Sequence, residues 1–141
     1  MVVLHLGLIV AAAGKPTATP HRQPHTHTRA RAINVAGIHH PIRLHEAHTS
    51  LDTNDFVKGQ APDPFGAILW PAARVAADDL VRLVRARRHA PPPLPTPLVV
   101  EVGAGLGLPS LAAAALGADV IATDCNIATL ERLTSAASAQ G

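Results

Sequence analysis

The run Glu101-Val102-Gly103-Ala104-Gly105-Leu106-Gly107 sets three glycines at alternate positions behind an acid, and Asp124 follows 23 positions after Glu101. A chain that must turn sharply through conformations closed to residues with a Cβ, and bring its backbone within contact distance of a ligand, needs glycine. Such a turn at the start of a helix presents backbone N–H groups, which favours an anionic or carboxylate-bearing ligand. One glycine in a strand-to-helix turn is explained by packing; three at alternate positions point to ligand approach. Asp124, at the end of the next strand, stands where a carboxylate accepts hydrogen bonds from ribose hydroxyls. The competing role, capping the helix that begins near Ile127, is open to Asp124 and Asn126 alike, and the joint occurrence of strand, glycine turn and terminal acid favours the ribose role. Cys125 has no base at motif spacing and reads as a bystander.

The strict dinucleotide fingerprint wants glycine at the first, third and sixth positions of the loop. The sixth is Leu108, and the glycine falls one earlier, at Gly107. A nicotinamide or flavin site is therefore disfavoured.

The elements that must carry these residues are legible around them. Leu98-Val99-Val100-Glu101-Val102 is a short apolar run bounded by proline and glycine, expected to be a strand buried on both faces. Pro109 opens a helix running through Leu116, Gly117 ends it, and Asp119 to Thr123 makes a second, parallel strand. Ile127, Leu130 and Leu133 continue with helical spacing to about Ser138. Upstream, Ala73, Ala76, Ala77, Leu80, Leu83 and Val84 recur three and four apart against Arg74, Asp78, Arg82 and Arg85, which predicts an amphipathic helix beginning at Trp70. Pro71 suits its first turn, Arg85, Arg87 and Arg88 suit its last, and the prolines from Pro91 stop it in a connecting loop.

Residues 1–45 read as a disordered or targeting-like leader, and 46–141 as a single partial domain. From Gly14 to about Pro41 the chain is rich in Pro, Thr and His without apolar period, and 41–65 is expected to be turn-rich with at most a short strand. The leader carries Lys15, Arg22, Arg29, Arg31 and Arg43 and no acid, against a net charge of +2 for the whole chain. These basic residues are scattered without aromatic interleaving, so no specific nucleic-acid binding is expected. Seven of the nine histidines lie there too, without the rigid frame a metal site needs; no metal is expected. The single cysteine excludes an internal disulfide and a multi-cysteine zinc site, and with it the simplest compartment is cytoplasmic or nuclear. The stretch from Val2 to Ala13 is signal-length without a cationic start, and an organelle-targeting role for the leader stays open. No apolar run reaches the ~20 residues of a membrane span.

Three segments together carry a family resemblance: Gly66-Ala67-Ile68-Leu69-Trp70-Pro71-Ala72-Ala73, then Val100 to Leu111, then Leu116-Gly117-Ala118 with Ala122-Thr123-Asp124. Over roughly residues 49–140 the chain resembles the N-terminal part of the small protein-lysine-methyltransferase-like branch of the seven-strand S-adenosylmethionine-dependent methyltransferases. The resemblance implies an α/β fold, the first part of a Rossmann-like doubly wound sheet, with about two parallel strands and flanking helices. It implies S-adenosyl-L-methionine as cofactor, with Trp70 against it, Gly103, Ala104 and Gly105 cradling its methionine half and Asp124 holding its ribose; Glu101 and Gly107 complete the expected cofactor set. Trp70 also fits simple packing of a helix against a sheet. In that family five further strands supply the acceptor pocket, and none follows Gly141, so no catalytic residue is named and a fragment with little activity of its own is expected. A protein substrate is implied. Two other readings remain: a non-enzymatic binding module whose open sheet edge is covered by a partner, and a different nucleotide-binding α/β domain.

Overall fold

The computed structural model describes residues 28–47, 65–92 and 94–140. They form an α/β unit with two small sheets and three helices. An antiparallel hairpin pairs β1 (Thr28–Ile33) with β2 (Ile42–Ala47). A 3-10 turn at Phe65–Ala67 leads into α1 (Pro71–Arg88). Then come β3 (Leu98–Val102), α2 (Leu108–Ala115), β4 (Asp119–Thr123) and α3 (Ile127–Ser138). β3 and β4 pair in parallel, Leu98 opposite Asp119 and Val102 opposite Thr123, with α2 as the crossover.

All five expected elements from α1 to α3 are found within two residues of their expected bounds, and β3 and β4 coincide with them. α2 ends in a Schellman motif: the Ala118 N–H donates to Ala113 O and the Gly117 N–H to Ala114 O, with Gly117 at φ +77°. On α1 the buried stripe is narrower than the periodicity suggested, because Ala77, Val81 and Val84 face the core while Leu83 is exposed.

Two expectations change. The leader was expected to run disordered to residue 45, yet β1 and β2 cross that boundary as an ordered hairpin. Ile33, Val35, Ile42 and Leu44 are buried and join one core with Leu69, Ala77, Val81, Leu111 and Leu133. Its connecting loop is held on α1: Ala36 N–H donates to Asp78 Oδ1 at 3.2 Å, and Arg85 donates to the Gly37 carbonyl. Residues 1–27, including the signal-length stretch, lie outside the described residues, as do residues 48–64. The second change is β3. It was expected to be buried on both faces, but Leu98, Val100 and Val102 are 63%, 58% and 84% exposed, because the described helices cover one face of a sheet two strands wide. Among the described residues there is no doubly wound sheet, and no helix is long and apolar enough to cross a membrane.

Candidate functional site

At the C-terminal ends of β3 and β4 the backbone makes three left-handed excursions in succession, at Gly103 (φ +68°), Gly105 (φ +54°) and Gly107 (φ +69°); no other residue type takes a positive φ among the described residues. The glycines differ in what surrounds them. A methyl group on Gly103 would meet no described atom within 4 Å, whereas one on Gly107 would overlap the Leu133 side chain. Gly107 is thus required by packing of α2 against α3, and Gly103 by backbone conformation with open space beside it. Ala104 is buried, its N–H donating to Thr123 O at 2.9 Å and its carbonyl accepting from Gly107 N at 2.8 Å.

The two acids converge on this turn. Asp124 accepts from Gly105 N–H through Oδ2 at 2.9 Å and from Asn126 N–H through Oδ1 at 2.8 Å. The helix-capping role belongs to Asn126, whose Oδ1 accepts from Ala128 N and Thr129 N. Asp124 ties the end of β4 to the glycine turn instead, and each of its oxygens keeps a further lone pair for a ligand hydroxyl. Glu101, on β3, uses Oε2 to accept from both the backbone N–H of Ser110, at 3.0 Å, and the Ser110 hydroxyl. Burial, the largest influence, pushes the Glu101 carboxyl above its usual range; the Ser110 donors oppose that rise and the negative charge of Asp124 adds to it.

These bonds revise the electrostatics expected of the turn. A helix N-terminus with unused donors attracts an anion, but here Ser110 N–H is taken by Glu101, Gly105 N–H by Asp124 and Ala104 N–H by Thr123. Two carboxylates thus take donors that an anion would use. What such a site favours is a ligand that brings positive charge and hydroxyl donors. Among the described residues no group of three or more His, Cys, Asp or Glu is placed to hold a metal.

Trp70 stands immediately before α1, 46% exposed, with its indole N–H donating to Phe65 O at 3.0 Å and its ring stacked on Phe65 at a centroid distance of 6.0 Å. The 3-10 turn beneath it reaches the glycine turn: Gly66 O would lie 3.8 Å from a Cβ on Gly105, and a Cβ on Gly66 itself would overlap Thr129 at the start of α3. The structure therefore gathers Trp70's segment, Glu101, Gly103, Ala104, Gly105 and Asp124 at one end of the parallel pair, with Gly107 turned toward the core. Cys125 is a free, exposed thiol beside Asp124.

Sequence reasoning passed over three residues. Ser110 orients Glu101, and its signal was a hydroxyl in the first turn of the helix that follows the acid. Glu46, on β2, accepts from Leu69 N–H at 3.0 Å and pairs with Arg31, so the hairpin supports the Trp70 segment. Burial, the largest influence on Glu46, raises its carboxyl, but the bonds from Arg31 and Leu69 outweigh it and hold the group below its usual range. Thr129 is buried, and its Oγ1 has no hydrogen-bond partner among the described residues. A separate cavity of about 650 Å³, lined by His39, His40, Arg43 and Gln140 among others, contains none of the seven expected cofactor residues.

No protein-family model matches the chain. Over 65 residues, 46% of the chain, it is 42% identical to the protein-lysine methyltransferase METTL21E of Bos taurus, and that stretch is 21% of the bovine protein. The chain thus spans about a fifth of the length of the relative it matches. Over that stretch it is similar to a methyltransferase.

Proposed function

We propose that these residues form the S-adenosyl-L-methionine-binding part of a seven-strand-type methyltransferase of the protein-lysine class. One observation supports this reading above the others: two acids meet at the glycine turn, Asp124 accepting from Gly105 N–H and Glu101 from Ser110 N–H, so the site suits a ligand with positive charge and hydroxyl groups better than a pyrophosphate. The residues fit the cofactor. Asp124 would accept the ribose hydroxyls, Glu101 would face the positive charge of the methionine half, the open side of Gly103 would admit its close approach, and Trp70 would lie against it. When bound, S-adenosylmethionine supplies an electrophilic methyl carbon. The chain's part is to fix that group's orientation, and transfer then depends on alignment with the acceptor. A protein lysine as acceptor follows from the likeness to the bovine enzyme.

The test is calorimetry on the 141-residue chain with S-adenosylhomocysteine, NAD and ATP. The expected result is binding of S-adenosylhomocysteine alone, weakened at least about tenfold in Asp124→Ala, since a hydrogen bond to a charged group contributes about 1.5–3 kcal/mol. Equal or tighter binding of NAD or ATP would overturn the reading in favour of another nucleotide site. A second reading, a binding module completed by a partner, draws on the exposed Leu98, Val100 and Val102 of β3.

A further inference from the structure

We propose that Ser110 is a positioning residue whose hydroxyl and backbone N–H converge on one oxygen of Glu101 and hold that carboxyl group in one orientation at the cation-facing end of the site. The inference rests on the cofactor reading above, and it concerns how the site's affinity depends on pH.

The geometry is specific. Ser110 is 0% exposed, on the first turn of α2, nine residues after the acid it contacts. Both its donors fall on Oε2, and no described residue donates to Oε1. One oxygen is thus committed to the helix and the other is left for a ligand. A hydroxyl that merely filled space at this position would not need to share the Glu101 oxygen that its own backbone N–H already uses.

The chemistry follows from the surroundings. Buried apolar neighbours penalise a charged Glu101, and Asp124, at the end of β4, repels it. α2 brings no ionisable residue of its own, Asp119 lies at the far end of β4, and Cys125 follows Asp124 in the chain. Ser110 is the group that opposes protonation. A neutral Glu101 donates through its own proton and no longer attracts a cation, so binding of a positively charged ligand is linked to loss of that proton. Removing the hydroxyl lets burial and Asp124 act with less opposition, and Glu101 then stays protonated to higher pH.

The experiment uses the whole chain with carbon-13-labelled glutamate. Titration of the Glu101 carboxyl, assigned by comparison with Glu101→Gln, is followed by NMR in wild type, Ser110→Ala and Ser110→Thr. In parallel, affinity for S-adenosylhomocysteine, whose ammonium group carries the positive charge, is measured by calorimetry from pH 5 to pH 8. The expected result is a higher titration midpoint in Ser110→Ala, restored by Ser110→Thr. Affinity in Ser110→Ala falls roughly tenfold at the acid end, the scale of a hydrogen bond to a charged group, and matches wild type at the alkaline end. Glu101→Gln, which keeps an acceptor for Ser110, binds weakly without pH dependence in this range.

An unmoved midpoint in Ser110→Ala overturns the proposal while leaving the cofactor reading standing if wild type binds. A loss of affinity equal at every pH also overturns it, since that is what a merely structural serine would do. Failure of wild type to bind S-adenosylhomocysteine at any pH removes the cofactor reading and this inference with it.

Discussion

Gly103 and Gly107 share a left-handed backbone but not an environment, and that difference can be measured. At either position an L-residue costs about 1–2 kcal/mol for the left-handed conformation. At Gly103 nothing is added to this, because no described atom lies within 4 Å of the new methyl group. At Gly107 the methyl group overlaps Leu133, which is 0% exposed and has no room to withdraw; overpacking of this kind costs a further 1–3 kcal/mol or so. Gly103→Ala should therefore lose about 1–2 kcal/mol and Gly107→Ala about 2–5. The gain from restricting the unfolded chain is the same for both substitutions, so it cancels in the comparison.

Urea unfolding followed by circular dichroism reads the two values directly. A gap of about 2 kcal/mol separates the melting temperatures by about 10 °C in a domain of this size. Ligand affinity should reverse the order once corrected for the folded fraction: Gly103→Ala, the milder lesion in stability, should bind S-adenosylhomocysteine more weakly than Gly107→Ala. Equal destabilisation of the two variants, or a costlier Gly103→Ala, would refute the assignment of one glycine to packing and the other to ligand approach.

Two other outcomes follow. Glu46→Gln keeps an acceptor for Leu69 N–H but loses the charge paired with Arg31; with Arg31 partly exposed and the pair screened by solvent, the loss at pH 7 should be about 1 kcal/mol or less. Because the folded state holds Glu46 below its ordinary 4.5, its contribution is present above that value and lost as pH falls through the lower folded value, so wild type and variant should converge in urea unfolding at low pH. If a partner covers β3, sedimentation velocity with that partner or with a second copy should show association that Val100→Lys abolishes; a chain that stays monomeric and soluble at high concentration counts against the module reading.

The parts of this fold that could be read from sequence are those specified locally. β3, the glycine turn, α2 and β4 follow one another without a long connection, and glycine, proline and apolar runs mark each boundary. The hairpin was missed because its strands are separated by residues 34–41, with no short turn to announce it, and because much of what anchors it comes from Asp78 and Arg85 on a distant helix. β3 misled in the opposite direction. An apolar run signals burial, and Val99 and Val100 read alike, yet burial depends on how many layers surround the sheet. The Glu101–Ser110 contact was hidden for a third reason: a strand residue and a helix residue nine apart meet only after three left-handed glycines have folded the chain back.

The pairing of Glu101 with Ser110 also bears on which ligand class the turn can accept. In a dinucleotide site the helix N-terminus keeps its donors for the pyrophosphate. Here one N–H of the same N-terminus, that of Ser110, is already taken by a carboxylate from the preceding strand, and a second carboxylate, Asp124, lies near enough to raise the first. Bringing a pyrophosphate to this turn would set it against two like charges, with the Ser110 and Gly105 N–H groups already bonded to them. Bringing a cation would relieve the repulsion between the acids and leave every one of those bonds intact. A bound cation is attracted by both acids, so a cationic ligand should raise the melting temperature by more than a neutral analogue of equal contact area.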